Sequence, residues 1–424
     1  MVNVKKVVLI ILTVLISVFL YYYLTNKQYT LKRLLKKVEN QEFYIDNYSI
    51  LGTHLSISGC IDEAIDNDLF LILKNDDDEI TIDSKFEKYE NKTCFYLSDK
   101  NNEGINLDEL KLGDYLLLVK EKKDSDEVYY TLDNKTEYGD LEYYTITKNN
   151  RNNKIDILFD EYKDKSYVEF EIKKEKLPNA VYDITIDPGH GGNDVGSSGK
   201  LEGTVYYESD LTLKIALLLK NELEDLGLKV KLTREEDTYL EPYGKGGRAL
   251  IPNECNSKYS LSLHFNSTTD KMSYGGVEIY TPNDINYEFA SYLASNLSKV
   301  VGYSKKLTDK VSNGIYYTYF TKSDIKQSNE EMEEKGMEPF DIKEGYPYMY
   351  MIREVGGINT GAYIDGRNEY YGLNDYYNSN QTAEPYLLEL AYINYNSDLD
   401  KVVNNPDEFS KAISTAINEY LNIS

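Results

Sequence analysis

Short apolar or alternating segments, separated by polar turns, make up the chain from about residue 44 to residue 177. Tyr, Val, Ile and Phe recur in these segments, and clusters such as NDDD and KNNRNN separate them. β-Branched and aromatic residues favour strands, whereas Asn and Asp favour turns. The clearest segments are residues 69–74, 115–119, 143–147 and 167–172. The pattern predicts an all-β, sandwich-like module over residues 44–177.

The pattern changes near Pro178, where an apolar strand, a glycine-rich turn and an amphipathic helix follow one another. Ser209 or Asp210 can cap this helix, and Gly227 can end it. Its apolar positions, at helical spacing, are Leu211, Ile215, Leu218, Leu219 and Leu223. Further strands are predicted at 228–234, 259–265, 277–281 and 386–393, and further helices at 287–301 and 409–421. The alternation predicts an α/β domain over residues 178–424, with a mixed open sheet and helices on both faces.

A long polar stretch rich in Gly and Tyr, residues 303–383, lies between a predicted helix and the last predicted strand. A connection of this length is unusual inside a compact domain unless it has a function of its own. We therefore expect residues 303–383 to form an insertion that faces the substrate.

An uncharged apolar run, residues 7–24, follows Lys5 and Lys6 at the start of the chain. About 20 apolar residues are needed to span a bilayer as a helix. The sequence therefore predicts a transmembrane anchor over residues 1–27 and a linker over residues 28–43. A single-pass protein in the cytoplasmic membrane follows from this, with the rest of the chain outside in the cell-wall space. Secretion after signal-peptide cleavage is the disfavoured alternative, because no A-x-A-like site follows the run.

The formal net charge of −25 repels phosphate backbones, and no basic stripe interrupts it, so nucleic acid is disfavoured as a partner. The cysteines, Cys60, Cys94 and Cys255, lack CxxC or Cys–His spacing. Any zinc site must therefore use His and carboxylate ligands. Cys60 and Cys94 lie in one segment, and either a disulfide between them or two buried free thiols fits the sequence.

Two of the three histidines lie at the ends of predicted strands in the α/β part, His190 in DPGHGG and His264 in SLSLHFNS. Strand ends are where open α/β sheets place their sites. Glu208 opens the first helix directly after the His190 loop, and two imidazoles with one carboxylate match a catalytic zinc site. From pattern alone, Glu208 also fits a first-turn glutamate favoured by the helix dipole. The third histidine, His54, is interpreted as a structural or surface residue.

Glu389 is the charged residue within the apolar segment PYLLELAYIN. A carboxylate in such a strand is costly unless it is paired or functional. A zinc hydrolase needs a base that takes a proton from water and returns it to the leaving amine, and Glu389 is the candidate. The alternative is a structural ion pair with Arg367 or Arg248.

Four runs of the sequence resemble a known family when they are taken together. They are ITIDPGHGGNDVGSSG, YYESDLTLKIALLLKNELEDLGLKVKLTREED, SLSLHFNS with GGVEIY, and PYLLELAYINYNSDL. The family that they resemble is the zinc-dependent N-acetylmuramoyl-L-alanine amidase family, amidase 3. The resemblance implies one zinc ion per chain, bound by His190, Glu208 and His264. It also implies that Glu389 is the catalytic glutamate.

The reaction that the resemblance implies is hydrolysis of the amide between N-acetylmuramic acid and L-alanine in peptidoglycan by a zinc-activated water. Arg248, Asn266 and Asp187 are candidate supporting residues, since metal sites need groups that orient the ligands. The segment KGGRALIPNECN departs from the family, because its glycines and proline predict a short or kinked helix. Two rival functions stay open, a zinc peptidase or carboxypeptidase on wall peptides and a non-catalytic wall-binding protein. Regulation by a partner protein is also open.

Overall fold

A computed structural model gives the structure of the protein. It describes residues 33–423 except for 37, 40–41, 100–101, 124–125, 147–151, 269–274, 285–286, 337–338, 340 and 359–379. The strands before residue 178 are β1 (Phe43–Leu51), β2 (His54–Ile61), β3 (Asp68–Lys74), β4 (Glu79–Ile82), β5 (Lys85–Tyr89), β6 (Lys92–Tyr96), β7 (Ser98–Asp99), β8 (Asn102–Glu103), β9 (Ile105–Asn106), β10 (Gly113–Lys123), β11 (Asp126–Tyr130), β12 (Leu132–Asn134), β13 (Leu141–Tyr144), β14 (Asn153–Glu161) and β15 (Ser166–Lys174).

After residue 178 the chain alternates between strands and helices, as the sequence predicts. The strands are β16 (Ile184–Pro188), β17 (Ser198–Leu201), β18 (Thr204–Tyr207), β19 (Val230–Leu232), β20 (Tyr259–Asn266), β21 (Glu278–Tyr280), β22 (Lys310–Ser312), β23 (Ile315–Tyr316), β24 (Gln381–Thr382) and β25 (Glu384–Tyr392). The helices of the described residues are α1 (Glu208–Asp225), α2 (Ile251–Glu254), α3 (Glu288–Val301), α4 (Lys322–Glu334), α5 (Tyr350–Val355), α6 (Asn396–Asn404) and α7 (Pro406–Leu421).

Two sheets of the first part enclose a common hydrophobic core. One sheet has the order β12-β1-β2-β6-β5, and the other has the order β13-β14-β15-β10-β3-β4. Alternate side chains of facing strands fill the space between the sheets, for example Phe43, Phe95, Leu117 and Phe170. Cys60 on β2 and Cys94 on β6 are paired residues of neighbouring strands and form a disulfide. Of the two alternatives that fit the sequence, the structure has the disulfide.

The third sheet carries the candidate site and has the order β19-β16-β20-β25-β21-β23-β22. Strands β19, β16, β20 and β25 run parallel to one another, and β21 runs antiparallel to β25. The sheet is therefore mixed, as predicted. The parallel strands are apolar on one face, where α1, α3 and α7 pack over them in one large core.

The opposite face of this sheet is more polar and has no long helix among the residues that the structure describes. Asp187, Ser262, His264 and Glu389 lie on it, because they alternate with the core residues of their strands. The short helices α2 and α5 and the segments around them cover it instead. The predicted helices on both faces are thus present, but three long helices lie on one face and two short ones on the other.

The insertion predicted over residues 303–383 is partly described and has secondary structure of its own. Its strands β22 and β23 extend the third sheet beyond β21. Ile352 of α5 packs with Leu387 of β25, two residues before Glu389 on the same face. The insertion therefore packs on the sheet face that presents Glu389. The domain boundaries remain predictions.

Strand β24 links the two parts of the chain. It pairs in parallel with the end of β1, where Ile50 lies opposite Gln381 and Leu51 opposite Thr382. Ala383 alone separates β24 from β25, and its backbone N–H donates to Asn253 Oδ1 of α2 (2.9 Å). The strand that carries Glu389 is thus continuous with a strand of the first sheet.

Several predicted element ends differ from the structure. Helix α1 begins at Glu208, and Tyr207 occupies its cap position without a side-chain hydrogen bond, so neither Ser209 nor Asp210 is the cap. Gly227 follows the helix with a φ of 85°, a conformation that suits glycine at a helix end. The helix predicted to be short in KGGRALIPNECN is α2, of four residues.

The predicted single-pass membrane location requires a correction. No helix among the described residues is both long enough and apolar enough to cross a membrane. Helix α1 has 18 residues, but its exposed face carries charged residues such as Asp210 and Lys214. The predicted span, residues 7–24, lies outside the described residues.

Candidate metal centre and catalytic site

His190 follows β16 in a loop that glycines allow to turn tightly. Its φ of 62° is uncommon for a residue with a side chain. Gly189 precedes it, and a Cβ at that position would lie 2.4 Å from the His264 ring. Gly196, farther along the loop, lies so close that a Cβ there would be 2.6 Å from the His190 ring and 2.8 Å from Glu208 Oε2. The glycines of the loop therefore let the three side chains approach one another.

Two buried arginines fix the backbone of this loop. Arg234 donates to the carbonyl oxygens of Pro188 (3.0 Å) and Gly189 (3.0 Å). Arg248 donates to the carbonyl oxygen of His190 (2.9 Å). These hydrogen bonds stabilise the strained backbone conformation that brings the His190 ring to Glu208. The sequence analysis included Arg248 among the supporting residues and missed Arg234, although Arg234 is the last residue of a predicted strand.

Glu208 is the centre of the cluster. Its side chain is 2% exposed, so it is not a solvent-facing first-turn glutamate. Its Oε1 atom lies 3.2 Å from His190 Nε2 and 3.0 Å from His264 Nδ1. Its Oε2 atom accepts a hydrogen bond from the backbone N–H of Ser197 (2.8 Å). Burial raises the pKa of Glu208, but hydrogen bonds and charges from the two histidines outweigh burial and hold the pKa well below the usual value.

The donor atoms of His190, Glu208 and His264 all lie within 4.8 Å of one another. The two imidazole rings are 4.9 Å apart and nearly perpendicular. Asp194 Oδ2 lies 2.9 Å from His190 Nδ1, so the other ring nitrogen faces Glu208. Two imidazoles and a carboxylate are a donor set that zinc prefers, and a carboxylate on the outer nitrogen is usual for a ligating histidine. The donor atoms of the cluster therefore fit a metal ion, and the binding of zinc by these three residues stays a prediction.

Glu389 lies beside this cluster on β25, opposite His264 on one neighbouring strand and Glu278 on the other. Although the residue as a whole is partly exposed, its Oε2 atom is buried and has no hydrogen-bond partner among the described residues. Burial raises the pKa of Glu389 well above its usual value, and the charges of Glu208 and Glu278 raise it further. A carboxyl group of this kind is suited to proton transfer.

The ion pair that was the alternative for Glu389 is not present among the described residues. Arg248 pairs instead with Asp187, at 3.0 Å between Nη1 and Oδ1. Arg367, the other candidate partner, lies outside the described residues.

Asp187 and Asn266 have different roles in the geometry. Asp187 is fully buried and accepts hydrogen bonds from Thr233 (2.7 Å), Arg248 (3.0 Å) and Ser262 (2.8 Å). It holds Arg248 in place and does not reach the ligand cluster itself.

Asn266, two residues after His264, donates to Glu278 Oε2 (3.2 Å). Sequence reasoning missed Glu278, although its GGVEIY run was part of the resemblance.

His54 lies in β2, outside the cluster. Its Nδ1 atom is 3.2 Å from Thr53 Oγ1, and burial lowers its pKa to about 4. A partly buried histidine with a lowered pKa agrees with the structural interpretation.

Residues 184–333 match the model of the family described as N-acetylmuramoyl-L-alanine amidase. The resemblance predicted from the sequence is therefore confirmed. The matched stretch contains His190, Glu208 and His264 and ends before Glu389.

One curated relative and two solved structures are similar to parts of the chain. The Staphylococcus aureus protein described as "Probable cell wall amidase LytH" is 34% identical over 128 residues, which are 30% of this chain and 40% of the relative. The chain thus spans about two fifths of the length of that curated relative. The amidase AmiC2 of Nostoc punctiforme has 20% identity and a TM-score of 0.37, covering 58% of this chain and 99% of its own. Cwp6 from Clostridium difficile has 25% identity and a TM-score of 0.38, covering 57% and 30%.

Proposed function

We propose that this chain is a zinc-dependent N-acetylmuramoyl-L-alanine amidase that hydrolyses the amide between N-acetylmuramic acid and L-alanine in peptidoglycan. One observation carries the proposal. The cluster of His190, Glu208 and His264, within the stretch that matches the amidase family, lies next to Glu389, a buried carboxyl group with an unpartnered oxygen. In this proposal residues 178–424 are the catalytic unit and residues 44–177 are an accessory module.

His190, Glu208 and His264 would hold the zinc ion, one per chain. When bound, such an ion polarises a carbonyl group and lowers the pKa of water beside it. Asp194 keeps the His190 ring oriented, since it contacts the nitrogen that faces away from Glu208. Arg234 and Arg248 keep the loop of His190 in its strained conformation through the carbonyl oxygens that they bind.

Glu389 would move the proton. As a carboxylate it takes a proton from the water that attacks the lactyl carbonyl, and as a carboxylic acid it gives this proton to the nitrogen of L-alanine. The C–N bond then breaks, and the products are the muramic acid carboxylate and a stem peptide with a free amine. The raised pKa of Glu389 supports this role, because burial and neighbouring carboxylates let the carboxyl group hold a proton more readily than an ordinary glutamate does.

Digestion of purified peptidoglycan by the full-length chain tests the proposal. New L-alanine amino termini and intact stem peptides are expected, with loss of activity on chelation and recovery on addition of zinc. Shortened stem peptides would instead show a peptidase or carboxypeptidase. Binding to peptidoglycan without any new amino terminus, with zinc present, would show a wall-binding protein.

A further inference from the structure

The strand pairing changes register immediately beside the candidate site. His264 on β20 pairs with Glu389 on β25, but Asn266, two residues farther on, pairs with Tyr392, three residues farther on. Strand β25 therefore contains one extra residue directly after Glu389. Such a bulge bends the strand and changes the direction of nearby side chains, so the ladder alone does not fix how Glu389 faces His264.

The carboxylate of Glu278 joins the two strands across this bulge. Oε2 of Glu278 accepts a hydrogen bond from Asn266 Nδ2 on β20 (3.2 Å). Oε1 accepts one from the hydroxyl of Tyr392 on β25. Asn266 and Tyr392 are the pair that directly follows the bulge, so one side chain on a third strand holds both of its sides.

Further contacts fix Glu278 itself. Its side chain is 0% exposed, and it accepts additional hydrogen bonds from Ser304 Oγ (2.6 Å) and the Tyr280 hydroxyl (2.8 Å). Lys306 Nζ lies 4.0 Å from Oε2. A carboxylate has about four lone-pair positions, and four donors occupy them here. Glu278 is thus a rigid, fully bonded group.

Glu389 differs from Glu278 in this respect, although the two are opposite each other on antiparallel strands. The Oε2 atom of Glu389 has no partner within the part of the chain that the structure describes. Its position therefore depends on the backbone of β25 and on the bulge that follows. Glu278 does not belong to the His190–Glu208–His264 cluster, so besides its charge, which acts on Glu389 directly, it can influence the site through this backbone.

We propose that Glu278 is a positioning residue that holds the bulge after Glu389 and thereby places the Glu389 carboxyl group relative to the metal cluster. The inference rests on the proposed amidase function. Replacing Glu278 by Gln puts an amide NH₂ among four donors and releases at least one side of the bulge. A displacement of about 1 Å of a reacting group can cost on the order of a hundredfold in rate.

Two variants test the proposal, Glu278→Gln and the milder Tyr392→Phe, which removes one hydroxyl and no volume of the core. Glu384→Gln is the matched control, because Glu384 is also a buried carboxylate that accepts from a tyrosine, Tyr386, at the other end of β25. For Glu278→Gln we expect kcat on muropeptides to fall about tenfold to a hundredfold. KM should change less than about threefold, and zinc content should stay near one per chain. Tyr392→Phe should show a smaller fall of the same kind.

The control separates positioning from general stability. Glu384→Gln should lower the Tm and leave kcat near the parental value. Parental kcat in both Glu278→Gln and Tyr392→Phe would overturn the proposal, as would an equal loss of kcat in Glu384→Gln.

Hydrogen exchange of the amides of residues 389–393 tests the role of Glu278 without any activity measurement. These amides should exchange faster in Tyr392→Phe or Glu278→Gln than in Glu384→Gln. Equal exchange rates in the three variants would overturn the proposal. If the parental chain cleaves no muramoyl amide, the proposed function fails, and the exchange measurement still judges the role of Glu278.

Discussion

Glu389 lies directly opposite His264 on the neighbouring parallel strand. Adjacent strands are about 4.8 Å apart, so the candidate base and a candidate metal ligand share one side of the sheet at the distance of a single strand spacing. The two neighbours have different expected roles, since His264 would hold the metal and Glu389 would carry the proton.

Glu389→Gln keeps the shape of the side chain and removes its ability to carry a proton. Amide cleavage should fall by about 10² to 10⁴, which is the usual contribution of general acid–base catalysis. Zinc content, measured by atomic absorption, should stay near one per chain. His264→Ala, in contrast, should lose zinc and activity together. A Glu389→Gln chain that turns over at the parental rate, or that loses its zinc as His264→Ala does, would contradict the assignment.

Asp194 should contribute to metal affinity through the His190 ring. Its Oδ2 atom lies 2.9 Å from His190 Nδ1, and it is half exposed, so replacement should not unfold the chain. Asp194→Ala should weaken zinc binding by about 10- to 100-fold, as is usual for groups that orient a ligating histidine. Asp194→Asn should weaken it less, since an amide oxygen can still accept. Competition with a chromogenic chelator measures the affinity.

Asp210→Asn is the control for Asp194, because Asp210 is an exposed carboxylate in the first turn of α1. It should leave zinc affinity unchanged. Equal affinities for Asp194→Ala and the parental chain would show that the contact is incidental.

Lys258 should make stability depend on pH. It is buried, with Nζ 4.5 Å from the centre of the Tyr143 ring, and burial lowers its pKa from 10.5 to about 8. Between these values the unfolded chain binds the proton and the folded chain does not, so the free energy of unfolding rises with pH in this window. The rise attributable to Lys258 is on the order of 3 kcal/mol.

Lys258→Met removes this titration and keeps the length of the side chain. Denaturant unfolding of both chains at pH 7, 8, 9 and 10 measures the difference. The parental chain should be the less stable of the two at pH 7 and should gain on the variant as pH rises. Parallel curves for the two chains would exclude a buried, charged Lys258.

The Cys60–Cys94 disulfide should stabilise the first part of the chain. The bond closes a loop with a sequence separation of 34 residues. Loop entropy predicts a loss of about 3 to 4 kcal/mol when the bond is removed. The Cys60→Ser, Cys94→Ser double variant should therefore unfold at lower denaturant concentration than the parental chain. Cys255→Ser, at the free cysteine, is the control and should shift the midpoint less. A midpoint unaffected by the double substitution would contradict the prediction.

The sequence predicts those parts of the fold that depend on local periodicity. The spacing of Leu211, Ile215 and Leu219 predicts α1, and these residues face the core. His190 and His264 were predicted as candidate metal ligands because each ends an apolar strand. Parallel strands that end at one sheet edge bring such residues together. Glu389 was predicted as a functional residue because a lone charge in an apolar strand is costly unless it is paired or functional. These signals are contained in single short segments.

Other parts depend on contacts between distant segments, which no local pattern contains. Glu278 is one charged residue in a short strand, and its importance comes from Asn266, Ser304 and Tyr392, which only the fold brings to it. The cap of α1 was predicted wrongly, because the helix begins at Glu208 and Tyr207 occupies the cap position without a side-chain hydrogen bond. Strand β24 is two residues long and is defined by its pairing with β1 alone.

The pairing of β24 with β1 also has a consequence for the order in which the chain becomes complete. A chain is synthesised from its N-terminus at about 5 to 20 residues per second, so Ile50 and Leu51 emerge roughly 17 to 66 seconds before Gln381 and Thr382. During that interval the edge of β1 at these residues lacks its native neighbour. An open sheet edge is a template for another chain, so the nascent protein is exposed to intermolecular pairing there until the last tenth or so of the sequence is made.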